Sequence, residues 1–253
     1  MNTLYIVGTP IGNLEDISMR ALRILGEVDF VLCEDTRVTG VLLHRYDIKT
    51  KMISYHQHSD ENKNKQILKL LADGKNLALV TDAGTPGISD PGGRLVQDVI
   101  EKFGSDDGVK IESVPGPSAV TAALSISGIA TDKFIFLGFL PHKKGRQTFL
   151  DRIPETHDPI VIYESKHRII KLLQELIEVN KKSEEYNLKL EEMDPYQKKK
   201  QGLERKRQVT SVVVCRELSK MHETVYRGDL ETIIKRIEEN KDDQKGEFVV
   251  IIA

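Results

Sequence analysis

Strand-like and helix-like segments alternate along the chain, and several strand-like ones end in glycine- and proline-rich turns. Short β-branched or aromatic runs at 3–7, 29–33, 51–55, 77–81, 110–114 and 134–137 are interleaved with helix-period segments at 17–25, 36–45, 61–71, 95–103 and 118–127. Neighbouring parallel strands need a long crossover, usually a helix, so this alternation specifies an α/β fold with a largely parallel sheet. Near Pro141 the pattern resets, and Lys143, Lys144, Gly145 and Arg146 read as a domain edge. A second α/β unit follows, with strands at 160–163, 209–215, 224–226 and 247–252 and helices at 168–179 and 230–239. The expectation is two α/β domains with mostly parallel sheets, 1–140 and 141–253, which a chain of 253 residues accommodates.

Composition narrows the function classes. The net charge is −2, which argues against a bulk-basic nucleic-acid binder but leaves local patches open. With no Trp and 6% aromatic residues, a base-stacking platform is not expected. Cys33 and Cys215 are the two cysteines, too few for a disulfide framework or a four-cysteine metal site. The longest apolar run, 134–140, is interrupted by Gly138 and far too short to cross a bilayer. The amino-terminal residues read as a strand without a basic leader, so a cytoplasmic setting is expected. Residues 181–208 carry nine Lys/Arg and six Asp/Glu in 28 positions. They read as a solvated helical hairpin or flexible insertion, or as an RNA-facing arm presenting the triplets 198–200 and 205–207.

Among chemistry-bearing motifs, the Walker phosphate loop, the GxGxxG fingerprint and HExxH are absent. His56 and His58 lack further ligands at zinc spacing, and no metal is expected. Three loops stand out: 8–14 (GTPIGNL), 82–93 (DAGTPGISDPGG) and 114–119 (VPGPSA). Each follows a strand, and in open α/β sheets ligands bind beyond the carboxyl ends of strands. Glycine permits close backbone approach and proline sets the turn, so these loops suit a polar ligand held by peptide groups.

Together with CEDTR (33–37), SYH (54–56), GFLP (138–141), YESKHR (163–168) and RELSK (216–220), these loops run in order over nearly the whole chain. The set resembles the tetrapyrrole-methylase-like class of S-adenosylmethionine enzymes, in particular the branch acting on small-subunit ribosomal RNA. The resemblance implies a methyl donor in a cleft between two α/β domains, a homodimer, and 2′-O-methylation of a cytidine ribose in 16S rRNA. Carried over residue by residue, it assigns donor contacts to Pro10, Gly84, Thr85, Ile88, Ser118, Ala119, Leu140, Tyr163, Cys215 and Glu247. Plainer readings stand beside these: Ser118 as a helix cap, and Cys215 and Tyr163 as core. The family usually passes quickly from the helix after YESKHR to the strand before RELSK, whereas here the charged stretch 181–208 intervenes.

A ribose 2′-hydroxyl is a poor nucleophile until its proton is drawn away. Asp82, Asp90, Glu34, Asp35 and Glu217 are candidate acceptors, with Asp90 first and Glu34 next. Lys220 is the candidate for stabilising developing negative charge. Asp35 also reads as an ion-pair partner of Arg37, and Asp90 as a cap for the helix starting near Pro91. Phosphate contacts are expected from Arg20, Arg37, Arg146, His167, Arg168 and Lys220. Two other readings stay open: a tetrapyrrole or protein side chain as acceptor, and a non-enzymatic RNA-binding module for ribosome assembly.

Overall fold

The computed structural model describes residues 2–56, 61–90, 92–104 and 108–253. The chain divides into two compact units, Met1–Ala119 and Val120–Ala253.

The first unit is built on a wholly parallel five-stranded sheet. Its strands are β1 (Thr3–Val7), β2 (Phe30–Cys33), β3 (Lys51–Ser54), β4 (Leu77–Leu79) and β5 (Lys110–Val114), in the order β3-β2-β4-β1-β5. The crossovers carry α1 (Met19–Glu27), α2 (Thr36–Arg45), α3 (Glu61–Ala72) and α4 (Gly93–Phe103). Period-two alternation puts apolar side chains on both faces of the sheet. Val7, Val31, Cys33, Ala78 and Val80 pack with Ile24 and Leu25 of α1 and Leu42 and Leu43 of α2. The intervening Leu4, Leu32, Leu77 and Leu79 pack with Ile67 and Leu71 of α3 and Leu95 and Val99 of α4. Burial on both faces is why these strands read as continuous apolar runs. Local capping agrees with this arrangement: Ser18 accepts the Ala21 N–H to start α1, and Asp35 accepts the Arg37 N–H to start α2.

The second unit opens with α5 (Ala119–Ser127), whose first residue closes the unit before it. It contains β6 (Ile135–Phe139), α6 (Arg146–Arg152), β7 (Ile160–Ser165), α7 (Ile169–Glu192), α8 (Pro195–Gln201), β8 (Val212–Arg216), β9 (Thr224–Gly228), α9 (Leu230–Glu239) and β10 (Glu247–Ile252). Its sheet runs β6-β7-β10-β8-β9. Only β6 and β7 pair in parallel; β7–β10, β10–β8 and β8–β9 are antiparallel. Among the described residues, parallel pairings are five of the eight (four in the first sheet, one in the second), so the parallel character is concentrated in the first unit. A short β8–β9 connection permits the antiparallel pair, because a hairpin needs no helical crossover.

The sequence reading puts the domain boundary near residue 140, but the chain divides after Ala119. The physical reason is strand pairing: β6 bonds to β7 and therefore belongs to the second sheet.

The charged stretch 181–208 is largely helical rather than flexible. Helix α7 continues through it to Glu192, burying Ser183, Asn187 and Leu190. Asn180 and Asn187, two turns apart, each grip the returning backbone through a donor and an acceptor. The Asn187 amide donates to Lys206 O (2.7 Å) and accepts the Lys206 N–H (2.8 Å). The Asn180 amide does the same with Val209 (2.9 and 2.7 Å). No helix of the described residues is long and apolar enough to cross a membrane.

Candidate functional site

Strands β4, β1 and β5 are consecutive neighbours in the first sheet, so the loops that follow them lie side by side at its carboxyl edge. These loops are bonded to one another through backbone. Thr9 N–H donates to Gly84 O (2.9 Å), and Gly84 N–H donates to Thr9 O (3.1 Å). The Thr9 hydroxyl, fully buried, donates to Thr81 O (3.1 Å). Gly8 N–H donates to Val114 O (3.0 Å), and the Thr85 hydroxyl to Pro117 O (3.4 Å).

Two glycines are sterically required here. A Cβ on Gly116 would fall 2.6 Å from Gly8 O, and one on Gly8 would fall 2.8 Å from Gly116 Cα. Gly84 sits at φ +83°, in the left-handed region that favours glycine. The first-unit residues that the resemblance assigns to the donor are thus gathered at one edge: Pro10 and Gly84 buried, Thr85 half-buried, Ile88 exposed. Ser118 and Ala119 stand at the start of α5.

The next strand, β2, is followed by Glu34 and Asp35. Asp35 N–H donates to the Asp82 carboxylate (3.1 Å), which ties the β2 and β4 ends together. Asp35 caps α2 and pairs with the Arg37 guanidinium (2.6 Å); hydrogen bonds from that side chain and from the Arg37 N–H hold its pKa down to about 2. The ion-pair reading of Asp35 is therefore what the structure contains. Glu34 is half-buried, and its pKa is raised first by burial and then by the Asp82 charge, with His56 opposing. Asp90 is exposed, and the N-cap position of α4 is Gly92. Pro91 and His58 lie outside the described residues. Among the described residues, no group of three or more His, Cys, Asp or Glu is placed to hold a metal ion. Arg20 is exposed and donates to Ser113 O (2.7 Å).

In the second unit Leu140 is buried, and Tyr163 is half-buried with the Phe136 and Phe139 rings edge-on at 4.9 and 5.5 Å. Cys215 is fully buried, and burial pushes its thiol up to about 11, so it is a core residue without nucleophilic character. After β8 the backbone takes positive φ at Glu217 (51°) and Ser219 (66°). Non-glycine residues occupy that region only where the surroundings hold them there. Arg216, buried beneath, donates to the carbonyls of Lys245 (2.8 Å), His222 (3.0 Å) and Asp242. Gly246 (φ +100°) packs so tightly that a Cβ would lie 2.5 Å from Glu217. The Lys220 ammonium is held by Glu217 (2.9 Å) and Glu247 (2.8 Å). Burial works against its charge, but those two carboxylates outweigh burial and raise its pKa. Glu247 is otherwise exposed.

Two expected phosphate-binding arginines are engaged inside the unit. Arg146 is buried, bonded to Glu175 (2.7 Å) and 3.5 Å from Glu164. Arg168 lies 2.8 Å from Glu164 and donates to Leu140 O (2.9 Å). His167 is exposed. In the triplet 205–207 the exposed Arg205 pairs with Glu191 at the surface, Lys206 pairs with Glu155, and Arg207 bonds Ile153 O and His157 O. Lys199 and Lys200 are exposed. Sequence reasoning missed Glu164, Glu175 and Arg216 as organising residues. Glu164 and Arg216 lie inside the quoted YESKHR and RELSK motifs, but nothing local announces their distant partners.

A parallel sheet edged by three interlocked glycine–proline loops, followed by a mixed-sheet unit, defines the tetrapyrrole-methylase class of fold. Uroporphyrin-III C-methyl transferase from Thermus thermophilus, solved with S-adenyl homocysteine, shares it with a TM-score of 0.58 at 18% identity, covering 99% of this chain and 97% of that one. Residues 3–234 match the family Tetrapyrrole (Corrin/Porphyrin) Methylases, and the chain belongs to that family. It is 38% identical to a Thermotoga maritima protein over 100% of this chain and 99% of that one. It is 41% identical to a Synechocystis protein over 100% and 79%. Both relatives are named ribosomal RNA small subunit methyltransferase I.

Proposed function

We propose that this protein transfers a methyl group from S-adenosylmethionine to small-subunit ribosomal RNA, at the 2′-oxygen of a cytidine ribose in 16S rRNA. The observation that carries the donor side is the loop edge of the first unit. Gly8 and Gly116 touch backbone to backbone, and the Thr9–Gly84 bridge locks the third loop to them. This edge is bare of bulky side chains at Ala83, Gly87 and Gly116, and offers peptide groups to the polar ends of the donor. When bound, the donor supplies an electrophilic methyl group on a positively charged sulfur.

Pro10, Gly84, Thr85, Ile88, Ser118 and Ala119 hold the donor, with Leu140, Tyr163, Cys215 and Glu247 as the second unit's contributions. Burial keeps Cys215 to packing rather than bonding. Asp90 and Glu34 are the carboxylates assigned to accept the ribose hydroxyl proton. The raised pKa of Glu34 strengthens its basicity towards that proton. Lys220 offers its ammonium to developing negative charge after exchanging one carboxylate partner. Arg20, Arg37 and His167 are the exposed side chains assigned to phosphate, with Arg37 also bound to Asp35. A homodimer in the cytoplasm is part of this reading.

The test is methyl transfer from labelled donor to small subunits from a strain lacking the endogenous activity, followed by mapping of the labelled nucleotide. Label on a cytidine ribose is the expected result. Label on a base, or none on RNA, overturns the reading. Thr85→Arg is expected to abolish donor binding while leaving a cooperative unfolding transition.

A further inference from the structure

At the carboxyl ends of β6 and β7, the second unit contains a buried charge cluster that the proposed chemistry does not use. Glu164, the last residue but one of β7, has a fully buried side chain. One of its carboxylate oxygens accepts the Ser165 N–H (2.7 Å) and lies 2.8 Å from Arg168 Nε. The other lies 3.5 Å from Arg146 Nη1. Arg146 directs its Nε and Nη2 donors to Glu175 (2.7–3.2 Å). Burial opposes its charge, but Glu175 and Glu164 outweigh burial and raise its pKa. Two guanidinium groups thus face two carboxylates, and the mostly exposed Lys171 ammonium lies 3.8 Å from Glu175 at the outer side.

Its geometry has a direction. Arg168 Nη1 donates to Leu140 O (2.9 Å), and Arg146 Nη1 to Pro141 O (3.4 Å). These carbonyls are consecutive and belong to the turn that leaves β6. A buried carboxylate therefore aims two planar forks at one turn, from two different helical segments. An arginine fork reaches a carboxylate and a carbonyl at once in a fixed plane, which a lysine ammonium does not reproduce. Arg168 is 14% exposed and Arg146 6%, so neither guanidinium is free for a phosphate.

We infer that Glu164 is a positioning residue for the methyl donor, setting the Leu140–Pro141 turn through Arg168 and Arg146, and that these two arginines do not bind RNA. The inference rests on the proposed donor contact at Leu140. It replaces the phosphate role that the basic run 166–168 suggests by an internal one.

The test compares Arg168→Lys and Arg168→Gln with the unaltered protein. Binding of S-adenosylhomocysteine is measured by calorimetry, and binding of 16S rRNA across a salt series. Lysine keeps the charge opposite Glu164 but loses the fork. Arg168→Lys is expected to weaken S-adenosylhomocysteine about tenfold, the scale of one lost charged hydrogen bond. The donor KM rises with it, and kcat at saturating donor is unchanged. In Arg168→Gln, donor binding is expected to fall at least as far, while the slope of RNA affinity against salt is unchanged. A phosphate contact predicts the reverse: donor affinity retained in both variants, and a slope shallower by about one phosphate in Arg168→Gln. Should Arg168→Gln fail to fold, Glu164→Gln/Arg168→Gln removes both charges together and is expected to show the same donor loss. Equal donor affinity in Arg168→Lys and the unaltered protein overturns the inference. Failure of the unaltered protein to bind S-adenosylhomocysteine overturns the functional reading instead.

Discussion

The two units stiffen their strand ends by opposite means. In the first, the loops after β1, β4 and β5 are joined by peptide groups, with Gly8 against Gly116 and Thr9 against Gly84. In the second, the turns after β6 and β8 are held by buried guanidinium groups, Arg146 and Arg168 on one side chain of Glu164, and Arg216 on three carbonyls. Backbone joining leaves a surface of bare peptide groups, suited to a ligand with many polar edges. Joining through buried ions is brittle, because removing one partner leaves an uncompensated buried charge.

That contrast sets the order of expected effects. The largest belongs to Glu164→Gln, which leaves two buried guanidinium groups short of a carboxylate. A loss of about 3–5 kcal/mol is expected, read by urea denaturation. A loss below ~1 kcal/mol would break the comparison. Next is Gly116→Ala, whose Cβ meets the Gly8 carbonyl; backbone on both sides limits relaxation, and about 1–3 kcal/mol is expected to be lost. Asn187→Ala follows, because it strands the Lys206 N–H and carbonyl; a loss of about 1–2 kcal/mol is expected in the same assay. Gly26→Ala is the smallest and opposite in sign. Gly26 lies in α1, where an added Cβ would meet nothing within 4 Å, so a gain of about 0.5–1 kcal/mol is expected.

Acid titration sharpens the comparison within the first unit. Asp35, held down to about 2 by Arg37, contributes stability that is present above its ordinary value of 3.8 and lost as pH falls towards 2. Glu34 acts in the other sense. Its folded-state pKa is raised, so the folded form binds the proton more tightly, and stability declines as pH rises from 4.5 through the raised value. Melting temperatures of Glu34→Gln and the unaltered protein are expected to diverge across that second window, with the variant gaining as pH rises. Parallel curves would remove Glu34 from the set of burial-tuned carboxylates.

Much of the first unit is legible in local sequence. Its strands and helices lie where period-two and helical spacing put them, because helices cover both faces of the sheet, α1 and α2 on one and α3 and α4 on the other. The glycine–proline loops at the sheet edge are legible for a related reason: glycine and proline are read directly as backbone constraints, as Gly84 at φ +83° illustrates. Less of the second unit is legible. Its extended helix α7 hides in a stretch whose charge suggests solvent, since its buried face there includes the polar Ser183 and Asn187, and the Asn180 and Asn187 amides bond the returning chain. Arg146 reads as surface for the same reason, because its partners Glu164 and Glu175 are 18 and 29 positions away.

By itself, the sequence determined the α/β class, the order of most elements and the loops that edge the parallel sheet, all set by short-range periodicity and turn chemistry. Tertiary structure alone decided that β6 joins the second sheet, that this sheet is mainly antiparallel, and which charges face inward. Strand partnership and ion pairing depend on distant residues meeting, and the energy of a guanidinium group turns on whether a carboxylate reaches it away from water.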